Sequence, residues 1–401
     1  MLHLSNLNRN INYKLYFSKN IFITVCQENL HILFLCGWYP SRVFPNNGDF
    51  IARHAQAVSK LHSVSVLHIV TDPLLNSAIE VSIQKSKQLS TYIAYVKPTS
   101  SKLAKTILFF KAYLRLIKAI GNYDIVHLNK LFPFGIFALH ANLFLKKPYI
   151  ISEHWTGYHA PQNKNLSPVE IKISKQIAKR AKYVCPVSVH LQKSMESIGI
   201  TGNYVRVPNV VNTEIFVPKR HAKTTFKILH ISSMQDTHKN ISGIIKSMRL
   251  LKNRCSNFEL ILVGANSHQY KDLAKELGVE QRITFKEHIA HKKVIQLMQT
   301  SDVFVLFSNY ENLPCVILES FACGLPVIST DVGGISEFFP KEYGYLIEVK
   351  NNNALVDKLL QIQQNPIQLE AKMHAYAAAN FSCKKIANSF DQLYKEALDC
   401  N

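Results

Sequence analysis

Two glutamates, Glu311 and Glu319, are separated by seven residues in the otherwise apolar stretch NYENLPCVILESFACGLPVIS (309–329). The run DVFVLFS before it reads as a buried strand, NYEN as its exit loop, and Pro314 as the first residue of a helix. Proline suits that position because it lacks the N–H that would go unsatisfied there. At ~1.5 Å per residue Glu319 lies about 7.5 Å up the helix, while Glu311 stays in the loop. Between them, at Asn312, Leu313, Pro314 and Cys315, is the helix N-terminus, whose open N–H groups and partial positive charge suit an anion. Carboxylates repel phosphate, so their partners are hydroxyls flanking it. A nucleotide sugar carries hydroxyls on both sides of its diphosphate. The plainer alternative is an exposed loop acid and a solvated helix position. Against it, Glu319 shares its helix face with Cys315, Val316 and Ala322.

Other candidates also follow strand-like runs. In DVGG (331–334), Gly333 and Gly334 permit close backbone approach to a ligand, as they would permit an ordinary turn. Gly48, in FPNNGDFIARH, stands between the first strand and its helix, where an Asn-Gly turn is the competing explanation. His154, in YIISEHWTGYHA, falls just beyond a strand and is either structural or aimed at a ligand. His127, in DIVHLN, is either core or site.

These residues meet only if the elements around them bring them together. From residue 31, strands HILFLCG, SVSVLHIV, YIAYVKP, DIVHLN, PYIISEHW and YVCPVS alternate with helical periodicity over 49–61, 101–120, 134–145 and 168–182. The pattern restarts at FKILHIS (226–232), with strands FELILVG, RITFKEH, DVFVLFS and PVIST and helices over 240–252, 268–278, 292–300, 314–323 and 334–339. Such alternation means βαβ units and parallel sheets. The expected fold is therefore α/β, with two Rossmann-like doubly wound domains facing across a cleft. Ligands of such sheets sit beyond the carboxyl ends of the strands. The expected divisions are a polar, Asn-rich extension over 1–29, an acceptor-side domain over 30–207 and a donor domain over 208–375. A final amphipathic helix within 376–401 is expected to pack back on the first domain.

With 401 residues the chain is too long for one ordinary core. No apolar run reaches the ~18–20 residues of a membrane helix. Eight cysteines without a C-x-x-C spacing point to a reducing compartment. The net charge of +20 is lopsided: residues 1–205 hold 24 Lys+Arg and 8 Asp+Glu (+16), and residues 206–401 hold 23 and 19 (+4). That suggests an anionic partner for the first half, or simply a lysine-rich surface. Lys102, Lys105, Lys111, Arg115 and Lys118 lie among large apolar residues in 101–120, and Lys172, Lys175, Lys179, Arg180 and Lys182 crowd 168–182. This mixture suits an anionic membrane surface as well as a solvated helix face. Nucleic-acid binding would need stacking aromatics on the same basic platform, and the sequence has no such array. It also lacks any D-x-D and any His/Cys spacing suited to a metal.

The E-x7-E pair followed by SFACGLPVIST, DVGG and ISE resembles the donor-binding signature of family-4 glycosyltransferases, retaining enzymes of the GT-B fold. The resemblance runs from about residue 31 to 395. It implies transfer of a sugar from a UDP- or GDP-sugar donor, without metal or other cofactor, by front-side displacement. If the basic helices meet a membrane, the expected acceptor is a glycan or lipid-linked molecule of the cell envelope and the expected location cytoplasmic, peripheral to the inner face of the membrane. By resemblance Glu311 contacts the donor sugar, Glu319 holds the ribose hydroxyls and Lys239 neutralises the diphosphate. His154 stands near the sugar and the acceptor, Gly48 lets the backbone approach, and the backbone near His288 and Ile289 holds the base. His154, Glu311 and Lys239 form the implied catalytic set, and Glu337 matches a family acid. Where the family carries an arginine this chain has Ser233, which leaves His238 or Arg206 to supply the second cation. A nucleotide-sugar epimerase on the same fold is the competing enzyme; the E-x7-E with GLPVIST favours the transferase.

Overall fold

The computed structural model describes residues 12–15, 24–27, 29–219 and 225–399. The extension expected over 1–29 lies largely outside them; its two described pieces, β1 (Asn12–Leu15) and β2 (Thr24–Gln27), pair antiparallel. The chain divides into two compact units. One comprises residues up to Ile151 with Arg180–Lys182 and Asp391–Asn401, the other Ser152–Lys179 and Tyr183–Phe390.

The first sheet is built from β3 (His31–Cys36), β4 (Ser63–Thr71), β5 (Ile79–Gln84), β6 (Leu89–Val96), β7 (Ile125–Asn129), β8 (Tyr149–Glu153) and β9 (Tyr183–Pro186), in the order β5-β6-β4-β3-β7-β8-β9. Its helices are α1 (Asp49–Val58), α2 (Lys102–Ile120), α3 (Gly135–Leu145), α4 (Pro168–Arg180) and α5 (Val189–Ser197). In β3 all residues from Ile32 to Cys36 are buried, the unbroken apolar run that a parallel strand covered on both faces requires. Strand β5 instead runs antiparallel at the edge and stays half exposed, so it carries no comparable apolar signal.

The second sheet is all parallel, with β10 (Phe226–Ile231), β11 (Phe258–Val263), β12 (Ile283–Lys286), β13 (Val303–Leu306), β14 (Val327–Thr330) and β15 (Gly344–Ile347) in the order β12-β11-β10-β13-β14-β15. Its helices are α6 (Asp236–Lys239), α7 (Ile241–Lys252), α8 (Lys271–Glu276), α9 (His291–Thr300), α10 (Cys315–Ala322), α11 (Asn352–Gln364) and α12 (Glu370–Phe381). Ile228, Leu260 and Val305 of the strands form one buried cluster with Ile244, Ile245 and Met248 of α7 and Leu355 and Leu359 of α11. The last helix, α13 (Cys383–Asp399), brings Asp391 and Tyr394 into the first unit. There Asp391 bonds His62 Nε2 at 3.0 Å and the Tyr394 hydroxyl bonds His127 Nδ1 at 2.6 Å. His127 is thus a core residue.

In both sheets the chain steps outward from a central strand, then returns to that strand's other side. The switch points fall between β3 and β7 and between β10 and β13, and in each sheet taken by itself the loops leaving that pair flank a crevice of the kind where such sheets take ligands.

Two expectations are corrected. Pro314 is not the first helical residue: its ψ of 123° is extended, so it caps α10 and Cys315 begins it. The helix expected over 334–339 is only a 3₁₀ turn, Ser336–Phe338, because Pro340 drives Phe339 into the extended region.

Candidate active site

Strands β10 and β13 are parallel neighbours, so the loops after them leave the same edge of the sheet. The two loops are tied together: the Asn309 amide donates to His238 O at 2.7 Å and its side chain donates to Thr237 O at 3.0 Å. This brings Lys239 Nζ to 2.5 Å from Glu311 Oε1, which also accepts from the Ser308 hydroxyl at 2.7 Å. Glu311 is 7% exposed, so its charge is matched inside the protein rather than by water. An ammonium has three donors, and Glu311 takes one of those of Lys239. Beneath the pair, His230 Nδ1 bonds Val305 O and Nε2 bonds Ser232 Oγ, both at 2.8 Å. Burial, reinforced by the charge of Lys239, pushes the His230 pKa down to about 4.

Glu319 lies in α10, one turn beyond Cys315, and is 2% exposed. That excludes the solvated helix position. His291 Nε2, at the start of α9, stands 3.9 Å from Glu319 Oε1. The buried Leu313 is fixed through its carbonyl by Asn209 Nδ2 at 2.6 Å.

Asn312 is gripped from several sides. Its Nδ2 donates to His154 O at 2.5 Å, its Oδ1 meets His159 Nε2, and its carbonyl accepts from Gly334 N at 3.0 Å. Gly333 has φ +62°, and a Cβ there would fall 1.9 Å from Glu311 O, so a side chain at 333 would displace the acidic loop itself. Opposite, buried Glu153 folds back through Oε1 to accept from His154 N at 2.8 Å and Trp155 N at 2.9 Å, setting the path of the His154 segment.

Glu337 accepts from Val189 N at 2.7 Å and His190 N at 2.8 Å, capping the start of α5, and takes Arg206 Nη1 at 3.2 Å. Arg206 also lies over the Phe338 ring at 4.8 Å. Ser233 is exposed. His288 is exposed and Ile289 half-buried, in the loop between β12 and α9. Gly48 belongs to the other unit, where it precedes α1 with φ +73°; a Cβ there would meet the Trp38 carbonyl carbon at 2.6 Å.

The fold thus gathers Lys239, Glu311, Asn312, His154, Gly333 and Gly334, with Glu319 buried in the helix that follows. Sequence reasoning missed Ser308, Glu153, His159, Asn209 and His291. Ser308, placed directly after a strand, carried a usable signal; His159 and Asn209 meet their partners only through tertiary structure. Among the described residues no three His, Cys, Asp or Glu side chains gather as metal ligands.

Two family models match the chain, Glycosyl transferases group 1 over residues 211–380 and Glycosyltransferase Family 4 over residues 50–215. The putative teichuronic acid biosynthesis glycosyltransferase TuaC of Bacillus subtilis is 22% identical over 394 residues, covering 91% of this chain and 98% of TuaC. Against several other curated relatives the chain spans less than half of the relative's length. The sucrose-phosphate synthase of Thermosynechococcus elongatus superposes with a TM-score of 0.76 at 19% identity, covering 93% of this chain and 100% of that one. HepE of Anabaena, in complex with UDP-glucose, superposes with a TM-score of 0.66 at 17% identity, covering 93% and 100%. These two likenesses show the fold, GT-B. With both family models in place, the chain belongs to the family-4 glycosyltransferases and is a transferase enzyme.

Proposed function

We propose that this glycosyltransferase moves a sugar from a nucleotide-sugar donor to a glycan or lipid-linked acceptor in cell-envelope polysaccharide synthesis, with retention and without a metal ion. The observation that carries the reading is Lys239 held at 2.5 Å from buried Glu311 at a switch point, with buried Glu319 in the next helix. Lys239 and the N–H groups at the start of α10 stabilise the departing diphosphate as fixed donors. Glu311 contacts the donor sugar and Glu319 the ribose hydroxyls. The backbone near His288 and Ile289 holds the base, and His154 lies beside the reacting sugar. In a front-side displacement the acceptor hydroxyl attacks the anomeric carbon, the bond to the diphosphate breaks, and the leaving phosphate oxygen takes the hydroxyl proton. The functional division runs at residues 207/208, between an acceptor-side and a donor domain. Because Arg206 is engaged by Glu337, His238 is the better candidate for the second cation missing at Ser233.

HepE was crystallised with UDP-glucose, so uridine nucleotides come first in the test. Thermal unfolding is followed with UDP, UDP-glucose, UDP-N-acetylglucosamine, GDP and GDP-mannose, in EDTA, for the wild type and Glu319→Ala. A ligand at ~100-fold over its Kd adds about 2.7 kcal/mol. One nucleotide series is expected to stabilise the wild type and not the variant. A shift that needs Mg²⁺, or no shift at all, overturns the metal-free donor site.

A peripheral membrane contact fits the first unit. On α2, Leu103, Ile107 and Leu114 are exposed beside exposed Lys105, Lys111, Arg115 and Lys118. On α3, Leu143, Phe144 and Leu145 are exposed beside Lys146. The two helices pack together through Tyr113, whose ring stacks on Phe137 and whose hydroxyl lies 3.2 Å from His140 Nδ1. Among the described residues no helix is long and apolar enough to cross a membrane. Each lysine near an anionic surface contributes about 1 kcal/mol. Replacing Lys105, Lys111, Arg115 and Lys118 by serine is therefore expected to release the protein from phosphatidylserine vesicles; unchanged binding would sink the idea.

A further inference from the structure

We propose that His159 is a positioning residue for the transfer, which as the neutral Nε2–H tautomer holds Asn312 and through it the acidic loop of the donor site. The proposal rests on the transferase reading of that site and adds a part to it. Asn312 Nδ2 is committed to His154 O at 2.5 Å, so Oδ1, an acceptor only, is the atom that faces His159 Nε2. Nε2 must then carry a proton. His159 Nδ1 lies 2.7 Å from Ser194 Oγ, and the ring packs 4.6 Å from that of His190. Burial lowers the His159 pKa, and the neighbouring His190 adds to this, so at neutral pH the ring holds one proton. Nδ1 is then a bare acceptor, and the Ser194 hydroxyl donates to it. The same hydroxyl reaches His190 O at 2.9 Å, so donation to Nδ1 gives up that second contact.

Ser194 is itself placed by α5, whose first turn is fixed by the Ser188 side chain at Leu191 N and by Glu337 at Val189 N and His190 N. A single chain of contacts therefore runs from Glu337 through α5 and Ser194 to His159, Asn312 and the loop that carries Glu311. Gly333 and Gly334 close on that loop from its other side. This accounts for Glu337, which touches neither Lys239 nor Glu311 in any described contact but anchors the helix that aims His159.

The test compares His159→Phe, which keeps a ring and loses the donor, with His159→Gln, whose amide nitrogen can stand where Nε2 does. His159→Phe is expected to lower kcat/KM for the donor at least about tenfold and His159→Gln to recover it to within about threefold. In a thermal-unfolding cycle without substrate, His159→Phe is expected to add nothing once Asn312→Ala is present. If the two changes add independently, or the glutamine variant is as impaired as the phenylalanine one, the proposal fails. Should His159→Phe not fold, ¹⁵N spectra of the wild-type histidines decide: His159 must show a protonated Nε2 and a bare Nδ1 near pH 7.5, and the opposite tautomer overturns the assignment. The unfolding cycle and the spectra need no nucleotide. A wild type that binds none while the coupling stands would refute the donor-site reading and leave the His159–Asn312 contact intact.

Discussion

Each of the two sheets places a lysine at its switch point, and the two are held differently. Lys130, after β7, has φ +76° and lays its ammonium 3.9 Å over the indole of Trp38. Lys239, the last residue of α6, meets the buried carboxylate of Glu311 at 2.5 Å. A cation over a neutral ring can be removed without leaving a charge behind. One paired with a buried carboxylate cannot. At its switch point the second region therefore commits a charge to one geometry, whereas the first rests its lysine on a neutral ring.

Below the loops the two regions are built alike, which the largest expected effect tests. His68 on β4 bonds Cys36 O on β3 at 2.8 Å, as His230 on β10 bonds Val305 O on β13. Burial lowers both pKa values to about 4. The unfolded chain, with histidine near 6.5, takes up protons that the folded one refuses. Stability is thus full above about pH 6.5 and drains as the pH falls toward 4, by about 3 kcal/mol for each ring. His68→Asn and His230→Asn should each remove about half of that slope in urea unfolding between pH 7 and 4.5. If one of them leaves the slope unchanged, the likeness of the two cores is false.

The contrast in the loops predicts smaller effects. Lys239→Ala strands Glu311 and is expected to cost about 2 kcal/mol in the same unfolding assay, discounted for the partial exposure of the lysine. Adding Glu311→Gln should recover most of the loss in stability without restoring transfer. Lys130→Ala gives up the cation–π contact with Trp38, about 0.5–1 kcal/mol. Equal costs at the two lysines would erase the distinction.

Much of this was legible in the chain. The apolar runs at β3, β10, β11 and β13 marked buried parallel strands, and the spacing of Glu311 and Glu319 around a helix start pointed to the loop where Lys239 and Asn312 gather. What stayed hidden has physical causes. The edge strand β5 is half exposed, and α5 buries only Leu191 and Met195 among its nine residues, so neither repeats a strong apolar period. Glu337 and Arg206 stand 131 positions apart and meet only because the turn after β14 lies against the segment that follows α5.

By itself the sequence determined that the chain folds as two runs of βαβ units and that a carboxylate pair brackets a helix start. Both follow from local periodicity and from spacing along one segment. Only the tertiary structure decided which groups answer each other: that Lys239 reaches Glu311, that His159 and His154 grip Asn312, and that Glu337 caps α5. Those pairings span 72 to 158 residues, and the parallel sheet sets them by bringing distant loops to one edge.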